Sequence, residues 1–132
     1  MASATQNEAT VRKGYEYFNS GNMEELRKLF APEATWHVPG RSRFAGDKQG
    51  VDASFAYFGE IVQATDMTFR AEVHDIVANE QHAVGLHTTT ATRNGKELRA
   101  HTVLVFHMNG EGKIDECWEH FDDTATVDEF WA

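Results

Sequence analysis

HTVLVFHMNGEGKIDECWEHFDD, residues 101–123, reads as two extended runs joined by a turn at Asn109, Gly110, Glu111 and Gly112. Val103, Val105 and Phe106 favour strand, and the glycines let the chain reverse at low steric cost, so the stretch predicts a long antiparallel hairpin. Its second arm is mixed: Asp115, Glu116, Glu119 and His120 alternate with Cys117, Trp118 and Phe121. Ionisable groups on both faces of a strand inside a small domain are expected where one face walls a ligand cavity and the other meets solvent or a second subunit.

Working outward, a period of two runs through Met67 to Ala78, Ala83 to Thr92, Leu98 to Met108 and Lys113 to Phe121, which predicts four consecutive antiparallel strands. Before them the spacing is helical. Val11, Tyr15 and Phe18 fall on one side of a helix over Glu8 to Phe18, stopped by Asn19, Ser20 and Gly21. Asn22, with Glu25 three residues on, opens a second helix whose apolar side is Leu26, Leu29 and Phe30 and which Pro32 ends. Ala34 to Val38 reads as a short strand, and the polar segment from Pro39 to Gly50 as loop. Val51, Phe55, Phe58 and Val62 form a stripe on a third helix, Val51 to Ala64. Helices first and a strand meander after them imply an α+β layer structure.

The run YFNSGNMEELRKLFAPEATWHVPG, residues 17–40, with the hairpins and the ending GKIDECWEHFDD, resembles the NTF2-like superfamily, which includes SnoaL-like polyketide cyclases, ketosteroid isomerase and limonene epoxide hydrolase. The resemblance covers nearly the whole chain, residues 1–132 as one domain. It implies a cone-shaped α+β barrel, three N-terminal helices packed on a strongly curved, mostly antiparallel sheet, enclosing an apolar pocket in what is often a homodimer. It also removes one activity: the positions of the isomerase's base, tyrosine and aspartic acid fall on Val38, Gly14 and Leu104, so a steroid isomerase of that mechanism is not expected. The hydrolase reading is weakened by His87, which stands where its second acid would be.

The strand registers follow from the turns. Asn94-Gly95 is a two-residue hairpin signal that pairs Arg93 with Lys96 and hence His87 with Thr102. A four-residue turn at Asn109 to Gly112 would pair Met108 with Lys113 and Thr102 with Glu119. His87, Thr102 and Glu119 then make one row, and Thr88, His101 and His120 another on the opposite face; a bulge at Gly110 or Gly112 would change this. The first face carries Leu98, Ala100, Leu104, Phe106, Cys117 and Phe121, the second Val84, Leu86, Val103, Val105, Ile114 and Trp118. Both are apolar, and the resemblance puts the His87 face inside, with Trp36 and Val38 pointing into the pocket and His37 away from it.

His87 and Glu119 are the leading catalytic candidates, because histidine titrates near neutrality and burial raises a carboxyl. His37 and Asp122 stand behind them; His37 is also readable as an interface residue, and Asp122 either matches the acid polyketide cyclases carry at the end of the last strand or caps the run Thr124 to Trp131. Tyr15, Trp36, Val38, Phe55 and Phe58, with Thr102, Leu104, Phe106, Cys117 and Phe121, are the expected pocket wall. The implied function is a small cofactor-independent lyase, isomerase or cyclase acting on an apolar oxygenated metabolite; the alternative is a non-catalytic module binding a small ligand or another protein.

Composition narrows the partners. A net charge of -9 with scattered arginines and lysines repels phosphate backbones, so nucleic acid is not expected. The seven histidines show no H-x-H or H-E-x-x-H spacing, and no metal is expected. A single cysteine, no run of ~20 apolar residues and no leader-like start over residues 1–7 suit a cytoplasmic protein without a membrane span. The apolar second face, with His101, His107 and His120 beside it, predicts a homodimer through the outer side of the sheet.

Overall fold

The computed structural model describes residues 2–132. Helix α1, Ala4–Ser20, starts four residues before the periodicity suggests, because Ser3 and Gln6 form a capping box: the Ser3 hydroxyl accepts the Gln6 amide at 3.1 Å and the Gln6 side chain accepts the Ser3 amide at 2.8 Å. It ends at Gly21, whose φ of 76° closes the helix in the left-handed region. Helix α2, Met23–Arg27, is capped by Asn22 as expected but stops well before Pro32.

Strand β1, Phe30–Val38, therefore begins earlier than predicted and contains the proline. Pro32 is tolerated there because the parallel pairing with the last strand is interrupted between Phe30 and Thr35, so its missing N–H breaks no ladder bond. A second correction follows: β2, Gly46–Gln49, is a strand and not loop, pairing antiparallel with β1. As a short, largely exposed edge it has no apolar alternation to announce it. Helix α3, Val51–Ala64, has the predicted span, but its buried stripe is Ser54, Tyr57, Phe58 and Ile61; Val51, Phe55 and Val62 are only half-buried.

Strands β3 (Arg70–Ala78), β4 (His82–Arg93), β5 (Lys96–Met108) and β6 (Ile114–Phe121) are the expected meander, and α4, Thr124–Trp131, is a fourth helix. Asp123, not Asp122, caps α4 by accepting the Thr126 amide at 3.2 Å. The six strands run in the order β2-β1-β6-β5-β4-β3, with only β1 and β6 parallel. The fold is α+β, but the sheet ends in two free edges and does not close into a barrel.

The first hairpin has the derived register: Asn94 and Gly95 carry φ of 51° and 77°, Arg93 pairs with Lys96 and His87 with Thr102. The second does not. Asn109 folds the turn tighter to itself, its side chain accepting the amides of Glu111 at 2.9 Å and Lys113 at 3.0 Å, and Met108 pairs with Ile114. A bulge at Asp115 follows, so Thr102 faces Phe121, and Glu119 faces Leu104. The shift is by two residues, which preserves the face of every residue beyond the bulge. Ile114, before it, turns inward and is 2% exposed, where the simple register had placed it outside.

Candidate functional site

Helices α1 and α3 lie over the concave side of the sheet and enclose a cavity of about 70 Å³. Its wall is apolar: Val11, Phe18, Leu26, Phe30, Phe58, Ile61, Phe69, Leu104, Phe106 and Ile114 supply most of it. Tyr15, Trp36, Tyr57, His87, Thr89 and Glu119 are the polar exceptions. These fall into two groups on opposite sides of the sheet's midline.

On the β6 side, the Trp36 indole donates to Glu119 Oε1 at 2.7 Å and the Tyr57 hydroxyl donates to the same oxygen at 3.0 Å. Glu119 Oε2 receives no hydrogen bond among the described residues. Burial raises the Glu119 pKa, and the two donors and the Lys48 charge offset this only in part. Lys48 reaches the site from β2, its ammonium 5.5 Å from the centre of the Tyr57 ring. Buried against the same carboxyl, the Tyr57 phenol is pushed up and stays neutral.

On the β4 side, Tyr15 Oη lies 2.8 Å from His87 Nδ1, His87 Nε2 lies 3.0 Å from Thr89 Oγ1, and Thr89 Oγ1 lies 2.8 Å from Thr102 Oγ1. Burial, with a smaller contribution from the nearby His74, pulls the His87 pKa down to about 4, so the imidazole is neutral at physiological pH. Gly85 makes the arrangement possible: a Cβ there would come within 2.3 Å of the Tyr15 hydroxyl. Ile76, Gly85, Leu104 and Glu119 form one row across four strands, so Tyr15 rests over the row at Gly85, two strands from Glu119.

The expected residues thus divide. His87 and Glu119 share the inner face and line the cavity, with Tyr15, Trp36, Phe58, Leu104 and Phe106. Thr102, Val38 and Cys117 are buried behind that wall at 2%, 8% and 0% exposure, and Phe55 and Phe121 sit half-buried at its margin. Two candidates lie elsewhere. Asp122 is exposed, its amide bonded to the His101 carbonyl oxygen at 3.0 Å. His37 is on the outer face, stacked on Trp118 with ring centres 5.4 Å apart and held by Asp47 at 2.7 Å and Glu116 at 2.6 Å. Strand alternation after Trp36 forces that placement. Sequence reasoning missed Tyr57, Thr89 and Lys48. Thr89 was recoverable, being two residues from His87 on the same strand face; Tyr57 belonged to a competing stripe; Lys48 sits on the strand that left no pattern.

The SnoaL-like domain model matches residues 11–117, which take in Tyr15, Trp36, Tyr57, His87 and Thr89 of the cavity and stop two residues short of Glu119. The chain belongs to the SnoaL-like family. An uncharacterised protein of Mycobacterium tuberculosis is 31% identical over 92% of this chain and 93% of its own length. Bal32a, from a soil-derived mobile gene cassette, is similar in structure at a TM-score of 0.95 with 43% identity, covering 98% of each chain. IdmH of Streptomyces antibioticus, a protein assigned to polyketide cyclisation, superposes at 0.75 with 22% identity over 92% of this chain and 96% of its own, a likeness of fold. Among the described residues no helix is long and apolar enough to cross a membrane, and no three His, Cys, Asp or Glu side chains gather as a closed metal centre would require.

Proposed function

We propose that this SnoaL-like protein is a small enzyme that moves a proton on an apolar, oxygenated metabolite of polyketide or terpenoid type, in a lyase, isomerase or cyclase reaction. Glu119 is the acting group. The observation that carries this is a buried carboxyl at an apolar cavity with one oxygen held by two neutral donors and the other unspent. A carboxyl raised by burial is poised to take a proton from a weakly acidic carbon and return it, which is the usual requirement for general acid–base work near neutral pH. Such a step needs only the carboxyl and a hydrogen-bond donor for the oxygen on which charge develops, so no cofactor is invoked. The electron pair released by the carbon passes to that oxygen, and the same proton or a solvent proton ends the reaction.

His87, the other candidate, acts by position: both of its ring nitrogens are engaged, by Tyr15 and Thr89, and the ring is neutral. A non-catalytic module that binds another protein or a very small ligand is the second reading, favoured by one observation: about 70 Å³ is well below the ~300–1,000 Å³ of typical ligand sites and leaves little room for a metabolite. Cyclohex-2-enone, a single-ring conjugated ketone, separates the two readings. Incubated with the protein in D₂O, its ring hydrogens should exchange faster than in buffer, and Glu119→Gln should lower the excess rate by ~10²-fold or more. Exchange no faster than in buffer, or undiminished in that variant, leaves the binding module in front. The reducing cytoplasm is the compartment this reading assumes, since the single cysteine, Cys117, leaves the chain no internal disulfide.

A further inference from the structure

The bulge at Asp115 reshapes the outer face of the sheet as well as the inner one. Met108 pairs with Ile114 and His107 with Glu116, so Asp115 has no partner on β5, and the extra residue puts two neighbouring carboxylates outside, between the inward Ile114 and Cys117. Each serves a histidine. Glu116 Oε2 lies 2.6 Å from His37 Nε2, and Asp115 Oδ1 lies 2.6 Å from His107 Nδ1. The two rings differ in what is left over. His37 has both nitrogens taken, the second by Asp47 at 2.7 Å. His107 is held at Nδ1 alone among the described residues: an ionised carboxylate only accepts, so the proton of the neutral ring stays on Nδ1 and Nε2 presents a lone pair. A carboxylate on one nitrogen is how proteins orient a metal-ligating imidazole and raise its basicity.

A second imidazole stands beside it. His82 is the cross-strand partner of His107, in the outward row beyond Val84 and Val105, with ring centres 5.2 Å apart. Two imidazoles on one tetrahedral ion, each nitrogen ~2.1 Å from the metal and its ring centre about 1 Å beyond, stand roughly 5 Å apart. The rings meet edge to face, and His82, exposed and without a side-chain hydrogen bond among the described residues, can turn towards an ion while Asp115 keeps His107 fixed. We propose that His82 and His107 form an outer-face site for a divalent transition metal, with Asp115 as the positioning residue. No three ligand side chains gather among the described residues, so the site is an open one: two imidazoles chelate the ion and water fills its remaining positions. The donors choose the class of metal. Nickel, copper and zinc suit imidazole nitrogen, magnesium and calcium demand oxygen, and the net charge of -9 favours a cation as ligand. The site lies across the sheet from the cavity and stands whether or not Glu119 moves a proton.

Zinc and nickel titrated into the untagged protein test this. Calorimetry with zinc should find one ion per chain, and His82→Gln and His107→Gln should each weaken its binding by about tenfold or more. Asp115→Ala should cost about tenfold, and Asp115→Asn, which keeps an acceptor for the Nδ1–H, should cost less. His120→Gln, on the same face but away from the pair, should bind zinc as the wild type does. Paramagnetic nickel, added to the wild type, should broaden the amide resonances of residues 82 and 107 before those of residues 37, 101 and 120, and excess magnesium should not reverse it. No binding at millimolar zinc overturns the proposal. So does a loss in the His82 and His107 variants no greater than in His120→Gln, or nickel broadening centred on another part of the chain.

Discussion

His87 and His37 lie on opposite faces of one sheet and are held by opposite kinds of partner. His87, 4% exposed inside the cone, has a phenol and an aliphatic hydroxyl on its two nitrogens, and burial draws its pKa down to about 4. His37, outside, is gripped by two carboxylates; burial lowers its pKa, but Asp47 and Glu116 more than reverse this and the net shift is upward. The glutamates of β6 repeat the pattern. Glu119 takes neutral donors inside and Glu116 takes an imidazole outside, three positions away across the pleat. Face, not residue type, decides the chemistry: a side chain turned inward must be satisfied without charge, because a charge there is costly, while one turned outward can keep its charge and pair it.

The sharpest way to break this contrast is to remove the two glutamates in turn. Glu119→Gln should cost ~10²-fold or more in the exchange rate, whereas Glu116→Gln should leave it within about twofold, since its partner lies on the face away from the cavity. Equal losses would mean that the outer cluster belongs to the working site.

The faces differ in a second way. One outer row crosses Val77, Val84, Val105, Trp118, His37 and Asp47, so its β3 to β6 half is apolar and its β1 to β2 half is charged. Val77 is 57% exposed, and Leu86 and Val103 add to the uncovered apolar area in the neighbouring row. All four helices are spent on other surfaces, and we propose that a second copy covers this patch about a two-fold axis. Sedimentation at micromolar concentration should give twice the mass of a 14.9 kDa chain, and Val105→Asp should weaken association by tenfold or more. A wild-type mass near one chain defeats the dimer.

How far the sequence carried this site depends on which signal each residue left. Asn94-Gly95 set the His87 register because a two-residue turn permits little else. Asn109 misled because its side chain takes over turn amides, which a count of turn residues does not register, yet the error of two left Glu119 on the right face. The helix that carries Tyr57 was legible in span but not in rotation, since Phe55 and Val62 compete with Tyr57 and Ile61 for the buried side. Edge strand β2 left no periodicity at all, and with it went Lys48. The linked network Tyr15–His87–Thr89–Thr102 needed all four partners in place and could not be had from any one segment.

Protonation of His87 offers a smaller effect of definite sign. Its folded pKa is depressed from about 6.5 to about 4, so the stability it contributes is present above the unfolded value and is lost as pH falls from about 6.5 towards 4. The full window is worth on the order of 3 kcal/mol. Glu119 works against it: a raised folded pKa gives stability that is present below the unfolded value near 4.5 and lost as pH rises through the folded one. The difference between wild type and His87→Asn isolates the histidine. The midpoint of thermal unfolding should fall more steeply with acid in the wild type; parallel curves between pH 6.5 and 4 would mean that His87 is not buried as a neutral ring.

The smallest effect belongs to His37, and its sign is the reverse. A folded pKa above the usual histidine value means that its clamp between Asp47 on β2 and Glu116 on β6 is at full strength below the unfolded pKa and fades as pH rises through the folded one. The side chain is 25% exposed and its two carboxylates 57% and 37%, so water screens the pair and the contribution to global stability is small. The local effect is larger than the global one, because β2 is a four-residue edge strand held to the sheet by β1 alone. Amide hydrogen exchange over residues 46–49 should therefore be slower at pH 6 than the intrinsic pH dependence of exchange accounts for, and His37→Gln should abolish that extra protection while the protection of β4 and β5 stays as it was. Since Lys48 rides on the same strand, the variant should also lift the Glu119 pKa slightly, visible as a small alkaline displacement of the exchange profile of cyclohex-2-enone. Protection of residues 46–49 that is identical in the two proteins at pH 6 would show that the ladder with β1, and not the imidazole, holds the edge.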